Sequence, residues 1–325
     1  MTARAIPRPA AAPLPGRGRL LPAGPVLGLA LAAASLLSPA PARAQDPCAD
    51  YVPQARPQNV GRDEVGQDID EIVKRGTIRI AVYEDFPPYS WRDGATPRGI
   101  DVEVGALVAA DLGVAPDFVF VDAGETIETD LRNVIWRGGL LKEPVSNVMM
   151  RVPYDPVFAC RVEQVVFTGQ YTTERIAIGF DAAEYPDDPP VPAYFRFDTV
   201  AVENDSIADF YLSSFPGGQL SGNVRRHATM AQAMRALDAG EVKAAMGPLA
   251  QIEWGLHERP DAGLAVHAPP LPAFSAGDWT IGVAVNFRFR PLAYAVDDAI
   301  LAALQDGRIA AIHEAYGVTF HEPER

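Results

Sequence analysis

Cysteine and histidine are both scarce in this chain. Its 325 residues include two cysteines, Cys48 and Cys160, and five histidines. No two histidines stand at the spacing of metal ligands, and neither cysteine has a histidine near it in the sequence. We therefore expect no metal site and no cofactor bound through these side chains.

The common catalytic signatures are also missing. The sequence has no GxGxxG after a strand, no P-loop, no HExxH and no GxSxG. Its acidic residues are scattered, so a hydrolase with two carboxylates stays open, but nothing in the sequence marks such a pair. We predict that the protein is not an enzyme.

Positive charge is in short supply. The chain has 28 lysines and arginines against 42 aspartates and glutamates, which gives a net charge of -14. This excess of negative charge argues against nucleic acid and anionic membranes as partners. Apolar residues make up 48% of the chain, and the length suits one two-lobed protein or two small domains.

Long apolar runs are confined to the N-terminus. Four arginines precede position 20, residues 20–37 are rich in Ala and Leu, and residues 42–44 read ARA. This pattern is typical of a secretory signal peptide over residues 1–44. A retained membrane anchor is the alternative, although prolines interrupt the run. Cys48 lacks the context of a lipid-modified cysteine. We expect an exported protein that is not inserted in the membrane.

The most informative stretch runs from residue 77 to residue 113. Its first apolar residues alternate with polar or small ones as far as Val82, which predicts a strand. After a turn, apolar residues recur at helical spacing up to Leu112, and Asp101 is predicted to cap this helix. A second alternating segment follows at 116–121, so we predict a right-handed crossover in a parallel sheet.

Three aromatic residues, Phe86, Tyr89 and Trp91, follow the carboxyl end of the first strand. In open α/β sheets, ligands bind outside these strand ends. Aromatic faces there can hold a small molecule by stacking or by cation–π contact. The alternative is that the rings only cover the end of the sheet. All three residues are candidates for ligand binding.

This stretch resembles the opening of the family 3 periplasmic (extracellular) solute-binding proteins. Residues 85–90 read DFPPYS and residues 99–113 read GIDVEVGALVAADLG. The family has a D-x-P-P-[FY] loop, a G-[FI]-D-[VI] helix start and a closing L-G. The resemblance implies an α/β, two-lobed periplasmic-binding-protein-like fold of type II with a two-strand hinge, located in the periplasm. A small-molecule ligand would lie in the cleft between the lobes.

The resemblance continues over nearly all of the chain after the signal peptide, and it divides that part into three regions. They are an extended N-terminal arm (45–64), a first lobe (65–176 plus 284–325) and a second lobe (177–283). Export would place Cys48 and Cys160 in an oxidising compartment, where a disulfide would tie the arm to the first lobe. The sequence leaves open whether the two cysteines pair.

Two arginines are candidates for binding an anion. In amino-acid binders of the family, an arginine six residues before an F-[ST]-x-P-Y motif holds the ligand carboxylate through a bidentate fork. Arg161 lies six residues before Phe167 of FTGQY and is the matching residue. Its alternative role is a surface salt bridge. Arg151, just past the short strand at 148–150, is the second candidate.

The chain departs from the family pattern where an amino acid would be recognised. Phe158 replaces a threonine that contacts the carboxylate. Lys243 and Pro248 occupy two aspartate positions, and the second of these aspartates commonly pairs with the ligand ammonium. These departures argue against a standard amino-acid carrier.

Two functions remain. The segments DLRNVIWRG, VMMRVPYD and YGVTF are similar to the J-type accessory proteins (XoxJ/MxaJ type) of periplasmic quinoprotein methanol dehydrogenases. That resemblance implies an accessory protein that aids the maturation or activation of a pyrroloquinoline-quinone alcohol dehydrogenase, including lanthanide-dependent ones. From the sequence we favour this function, with the dehydrogenase as partner. The alternative is a solute-binding protein that passes a small polar or anionic solute to an ABC-transporter permease.

Overall fold

The computed structural model describes residues 48–52, 65–139, 143–271 and 277–325. The predicted signal peptide lies outside these ranges, and so does most of the predicted arm. No helix within the described ranges is long and apolar enough to cross a membrane.

The described part of the chain contains eleven strands and nine α-helices. The strands are β1 (Thr77–Tyr83), β2 (Trp91–Asp93), β3 (Thr96–Arg98), β4 (Ala115–Val121), β5 (Val148–Tyr154), β6 (Val165–Asp181), β7 (Val200–Glu203), β8 (Val224–His227), β9 (Ala244–Pro248), β10 (Leu264–His267) and β11 (Asp278–Asn286). The helices are α1 (Ile69–Arg75), α2 (Ile100–Asp111), α3 (Ile127–Leu131), α4 (Pro156–Arg161), α5 (Ile207–Ser213), α6 (Met230–Asp238), α7 (Leu249–His257), α8 (Arg290–Gln305) and α9 (Arg308–Ala315).

A mixed sheet of nine strands organises the described chain. Its order is β4-β1-β5-β11-β6-β9-β7-β8, and β10 also pairs with β6. In one half of the sheet, β1 pairs in parallel with β4 and β5, as the predicted crossover requires. In the other half, β7 pairs in parallel with β8 and β9. The antiparallel strands β11 and β6 lie between the two parallel groups.

Strand β6 joins the two halves of the sheet. Its first part, up to Arg175, pairs with β11, and its second part, from Ile176, pairs with β9. Asp278, the first residue of β11, lies opposite Arg175, so the chain returns to the first half at the same boundary. The lobe boundaries stay a prediction, but β6 makes one of the two passages that were expected.

Both faces of each half-sheet carry a core, because side chains alternate along the strands. In β1, Ile80 and Val82 pack in the cluster that also contains residues of α2, α8 and α9, whereas Ala81 packs in the cluster on the other face. In β7, Val202 packs in the cluster that includes residues of α5, and Ala201 packs in the one that includes residues of α6 and α7. Burying each large apolar side chain contributes about 1.5–3 kcal/mol.

The start of α2 differs from the prediction. The N-cap is Gly99, which has a φ of 122° and makes no side-chain capping bond. A Cβ at this position would collide with the backbone carbonyl of Tyr89, so only glycine fits. Asp101 is the second helical residue, and its side chain is fully buried instead of capping the helix.

Cys48 and Cys160 form a disulfide in the structure. Their Cα atoms are 5.5 Å apart, and the two residues are separated by 112 positions in the sequence. Because Cys160 lies in α4, the bond attaches the segment around Cys48 to the region between β5 and β6.

We expect the double variant Cys48→Ser/Cys160→Ser to lose about 3–5 kcal/mol of unfolding free energy, because a loop of this length restricts the unfolded chain strongly. Urea unfolding of the oxidised wild-type protein and of the double variant measures this loss. Reduced wild-type protein should unfold at the midpoint of the double variant. Equal midpoints for oxidised wild type and the variant would contradict the prediction.

Candidate functional site

A cavity of about 290 Å³ lies at the boundary between the two half-sheets. Tyr83, at the end of β1, and Phe86 line one wall. Glu203, at the end of β7, and Gln251 of α7 line the opposite wall. The cavity therefore lies outside the carboxyl ends of parallel strands from both halves, where open α/β sheets place their ligands.

A second cavity of about 380 Å³ adjoins the first. Phe86, Glu203 and Gln251 line both cavities. Trp91 and Trp254 add two large rings to the second cavity, and their centroids are 5.5 Å apart. We use the name interlobe cleft for the two cavities together.

Arg151 lies at the floor of the first cavity and is only 8% exposed. Its Nη2 donates a hydrogen bond to Oε2 of Glu174 at 3.1 Å, and its Nη1 lies 3.9 Å from Oδ1 of Asp101. The guanidinium carbon lies 3.1 Å from the ring centroid of Tyr89 and 5.6 Å from that of Phe86. Protein carboxylates and aromatic faces therefore surround the guanidinium group.

Each of the two carboxylates is held by a buried phenol. The hydroxyl of Tyr89 donates to Glu174, and the hydroxyl of Tyr171 donates to Oδ1 of Asp101 at 2.6 Å. All five side chains are buried. We call Asp101, Arg151, Glu174, Tyr89 and Tyr171 the buried charge cluster. Within it, two carboxylates face one guanidinium.

The backbone at Arg151 is in an unusual conformation. Its φ is 57°, in the left-handed region that costs a residue with a side chain about 1–2 kcal/mol. The alternation of β5 shifts here, so that Met149 and Val152 pack in the same cluster. The pairing between β5 and β11 also shifts, between Gly282 and Ala284. This irregularity positions the guanidinium between Asp101 and Glu174.

Burial sets the protonation equilibria of the cluster. Burial raises the pKa of Asp101 to about 6, although the Arg151 guanidinium and the Tyr171 hydroxyl oppose the shift. Burial also raises the pKa of Tyr89 and Tyr171 well above the usual tyrosine value, so both stay protonated and donate. Burial disfavours the charged form of Arg151, but the surrounding phenols and carboxylates raise its pKa overall.

The structure separates the predicted site residues into three groups. Phe86 and Arg151 line the first cavity, and Trp91 lines the second. Tyr89 lines neither cavity and lies under Arg151 within the buried charge cluster. Arg161 is the last residue of α4, is exposed, and lines neither cavity. Of the two candidate arginines, Arg151 therefore lies at the cleft and Arg161 does not, because α4 carries Arg161 away from the strand ends.

Two acidic residues of the site, Glu174 and Glu203, were not predicted from the sequence. Glu174 is the only charged residue in an otherwise uncharged strand segment from Val165 to Glu174, and a buried charge requires a partner. Glu203 follows the apolar residues 200–202 directly, at the carboxyl end of β7. Both sequence positions could have marked these carboxylates, but neither position indicates which group the carboxylate contacts.

The half of the structure that contains β7, β8 and β9 also contacts the half that contains β1, β4 and β5 directly, across the interlobe cleft. The Gln251 side chain donates to the carbonyl of Pro87 at 3.4 Å, and the Thr319 N–H donates to Glu253 at 2.8 Å. Trp254 packs against both Trp91 and Tyr316, with ring centroids 5.5 and 5.9 Å away. Helix α7 is therefore seated against the first half.

A metal site has no support in the described residues. No group of three or more His, Cys, Asp or Glu side chains in that part of the chain is arranged to hold a metal ion. The side chains that line the cleft offer hydrogen bonding, ion pairing and aromatic contact.

Residues 78–133 match the family model of the bacterial extracellular solute-binding proteins, family 3. The matched region contains most of β1, the segment with Phe86, Tyr89 and Trp91, which we call the aromatic loop, and also α2, β4 and α3. A search of curated proteins gave no match.

Solved structures with the same fold include several amino-acid receptors. An ancestral cationic amino acid solute-binding protein has a TM-score of 0.61 and 20% identity, and the match covers 76% of this chain and 98% of that chain. An amino acid ABC transporter substrate-binding protein from Streptococcus pneumoniae, bound to L-arginine, has a TM-score of 0.56 and 18% identity, with coverages of 77% and 97%. The GluR0 ligand-binding core with L-glutamate has a TM-score of 0.55 and 19% identity, with coverages of 74% and 97%. The predicted two-lobed α/β fold is confirmed.

We expect Arg151→Met to lower the unfolding free energy by about 3–5 kcal/mol at pH 7, because it leaves two buried carboxylates without their cation. Chemical denaturation measures the loss. Arg161→Met is the matched control and should change stability by less than about 0.5 kcal/mol. Adding Glu174→Gln to Arg151→Met should recover part of the loss. Equal stability of the two arginine variants would contradict the stabilising role of Arg151 in the buried charge cluster.

The raised pKa of Asp101 predicts a pH dependence with a definite sign. Between the usual value of 3.8 and about 6, the folded state holds a proton that the unfolded state has lost, so stability falls as pH rises. The total is on the order of 3 kcal/mol. His313, whose pKa burial lowers to about 4, acts in the opposite direction.

The contribution of Asp101 is isolated by comparison with Asp101→Asn, since His313 is present in both proteins. Asparagine keeps an oxygen to accept the Tyr171 hydroxyl. The stability of wild type relative to Asp101→Asn should fall between pH 4 and pH 6 and level off above, as measured by urea unfolding at each pH. A difference that stays level over this range would show that Asp101 is ionised in the folded protein throughout.

Proposed function

We propose that this protein binds a small molecule in the interlobe cleft and delivers it, in the periplasm, to an ABC-type importer. The observation that carries the proposal is the position of the cleft. Its walls come from both half-sheets, at the carboxyl ends of β1 and β7. A ligand held there contacts both halves at once, so binding and closure of the halves are coupled.

The comparisons support a binding protein rather than an enzyme. The segment matching the family model contains the loop with Phe86 and Trp91, which contribute rings to the cleft. The structural relatives include a receptor of an amino acid ABC transporter, which is why we propose an importer permease as the partner.

The accessory function predicted from the sequence is the second candidate, and one observation favours it. Arg151 is already paired with Glu174 and Asp101, so the guanidinium at the floor of the first cavity is compensated before a ligand carboxylate arrives. A chain that serves a quinoprotein dehydrogenase has no need of such a group. Ligand binding in the cleft separates the two functions, because the accessory function requires none.

The test is a thermal-shift screen of residues 45–325 with amino acids, amines, organic acids, pyrroloquinoline quinone, calcium and lanthanide ions. A ligand present at a hundred times its dissociation constant should raise the unfolding free energy by about 2.7 kcal/mol. We expect at least one small organic molecule to stabilise the protein. If nothing stabilises it, the importer function is wrong and a protein partner becomes the favoured hypothesis.

For a ligand found in this way, we expect Phe86→Ala to weaken binding by about tenfold or more, because the ring lines both cavities. Isothermal titration calorimetry measures the affinity. Phe197→Ala is the matched control, since Phe197 is 82% exposed and lines neither cavity. Equal losses in both variants would place the ligand outside the cleft.

A further inference from the structure

The charge of the interlobe cleft indicates what kind of ligand it takes. Arg151 is the cation at its floor, but Glu174 and Asp101 already compensate that charge. A ligand carboxylate approaching Arg151 would also approach these two protein carboxylates. The electrostatic environment at the floor therefore disfavours an anion.

Two backbone donors at the start of α5 are also bonded within the protein. The N–H of Asp209 donates to the Ser206 hydroxyl at 3.2 Å, and the N–H of Asp205 donates to a carboxylate oxygen of Asp209 at 3.2 Å. These backbone donors are occupied by the protein's own oxygens. Arg226 forms an ion pair with Asp209 at 2.8 Å, so the charge of Arg226 is also compensated.

Glu203 is the acidic group that faces both cavities. Its Oε2 accepts a hydrogen bond from the Met230 N–H at 3.0 Å, which fixes the side chain and leaves Oε1 for another partner. No Lys, Arg or His within the described ranges makes an ion pair with Glu203. Burial raises the pKa of Glu203, although the hydrogen bond from the Met230 N–H opposes the shift.

Most of the remaining walls are apolar or aromatic, and two charged side chains of opposite sign, Asp85 and Arg235, also line the second cavity. Ile127, Pro153 and Ile281 line the first cavity, and the rings of Trp91 and Trp254 line the second. Aromatic faces attract cations, and apolar walls favour a hydrocarbon or aromatic body. Phe86 and Glu203 both line each of the two cavities, so a single ligand can contact the carboxylate and the ring together.

We propose that Glu203 binds the cationic group of the ligand, and that the ligand is an amine or guanidine with an apolar body and no carboxylate. This inference rests on the proposed function and gives it a substrate class. It assigns recognition to a residue at the end of β7, in a chain whose Pro248 stands where the family places its ammonium-binding aspartate.

The test compares two pairs of probes in which the members differ only by a carboxylate. They are 2-phenylethylamine with L-phenylalanine, and agmatine with L-arginine. Isothermal titration calorimetry on residues 45–325 should show at least one amine binding at least tenfold more tightly than its parent amino acid.

Glu203→Gln should weaken amine binding by tenfold or more. Glutamine can still accept the Met230 N–H, so the fold is retained, and a thermal unfolding midpoint close to that of wild type verifies this. Glu241→Gln is the matched control, because Glu241 is exposed on the same half and lines neither cavity. It should leave the affinity within about twofold.

Three outcomes overturn the inference. If an amino acid binds as tightly as its amine, an arginine of the cleft, Arg151 or Arg235, accepts a carboxylate, and the substrate class is wrong while the importer function stands. If Glu203→Gln binds the amine as wild type does, Glu203 is not the recognition residue. If neither amine binds, the inference fails, and the broad screen decides separately whether the proposed function fails with it.

Discussion

A buried guanidinium is costly unless charged partners compensate it, and Arg151 is compensated by Glu174 and Asp101. These three residues come from β5, β6 and α2, and the aromatic loop adds Tyr89 against the guanidinium face. One ion cluster therefore joins four segments that are separate in the sequence. The left-handed backbone of Arg151 is tolerated because this network holds the residue in place.

The same cluster lies where the two half-sheets meet. Glu174 is adjacent to the point in β6 at which pairing passes from β11 to β9. One of its oxygens also lies 3.5 Å from the Ala250 N–H at the start of α7. Helix α7 supplies Gln251 and Trp254 to the cleft. The Glu174 carboxylate therefore belongs both to the floor of the cleft and to the contact between the two halves.

The fold was largely predictable because its signals are local. Alternation in β1, helical spacing in α2 and the aromatic loop between them appear within forty residues, and the structure contains all three elements. The predicted capping role of Asp101 was wrong for an equally local reason. An aspartate near a helix start usually caps it, but here Arg151 and Tyr171 draw the carboxylate into the core, and Gly99 begins the helix.

The sequence by itself determined the strands, the helices and the presence of aromatic rings past a strand end, since these depend on neighbouring residues. From the resemblance to the family, it also led us to predict that Pro248 stands at the position of an ammonium-binding aspartate. Only the tertiary structure decided that Arg151 rather than Arg161 lies at the cleft, and that Glu203 faces both cavities. The physical reason is that ion pairing and desolvation depend on distances between segments, and those distances exist only after the sheet has assembled.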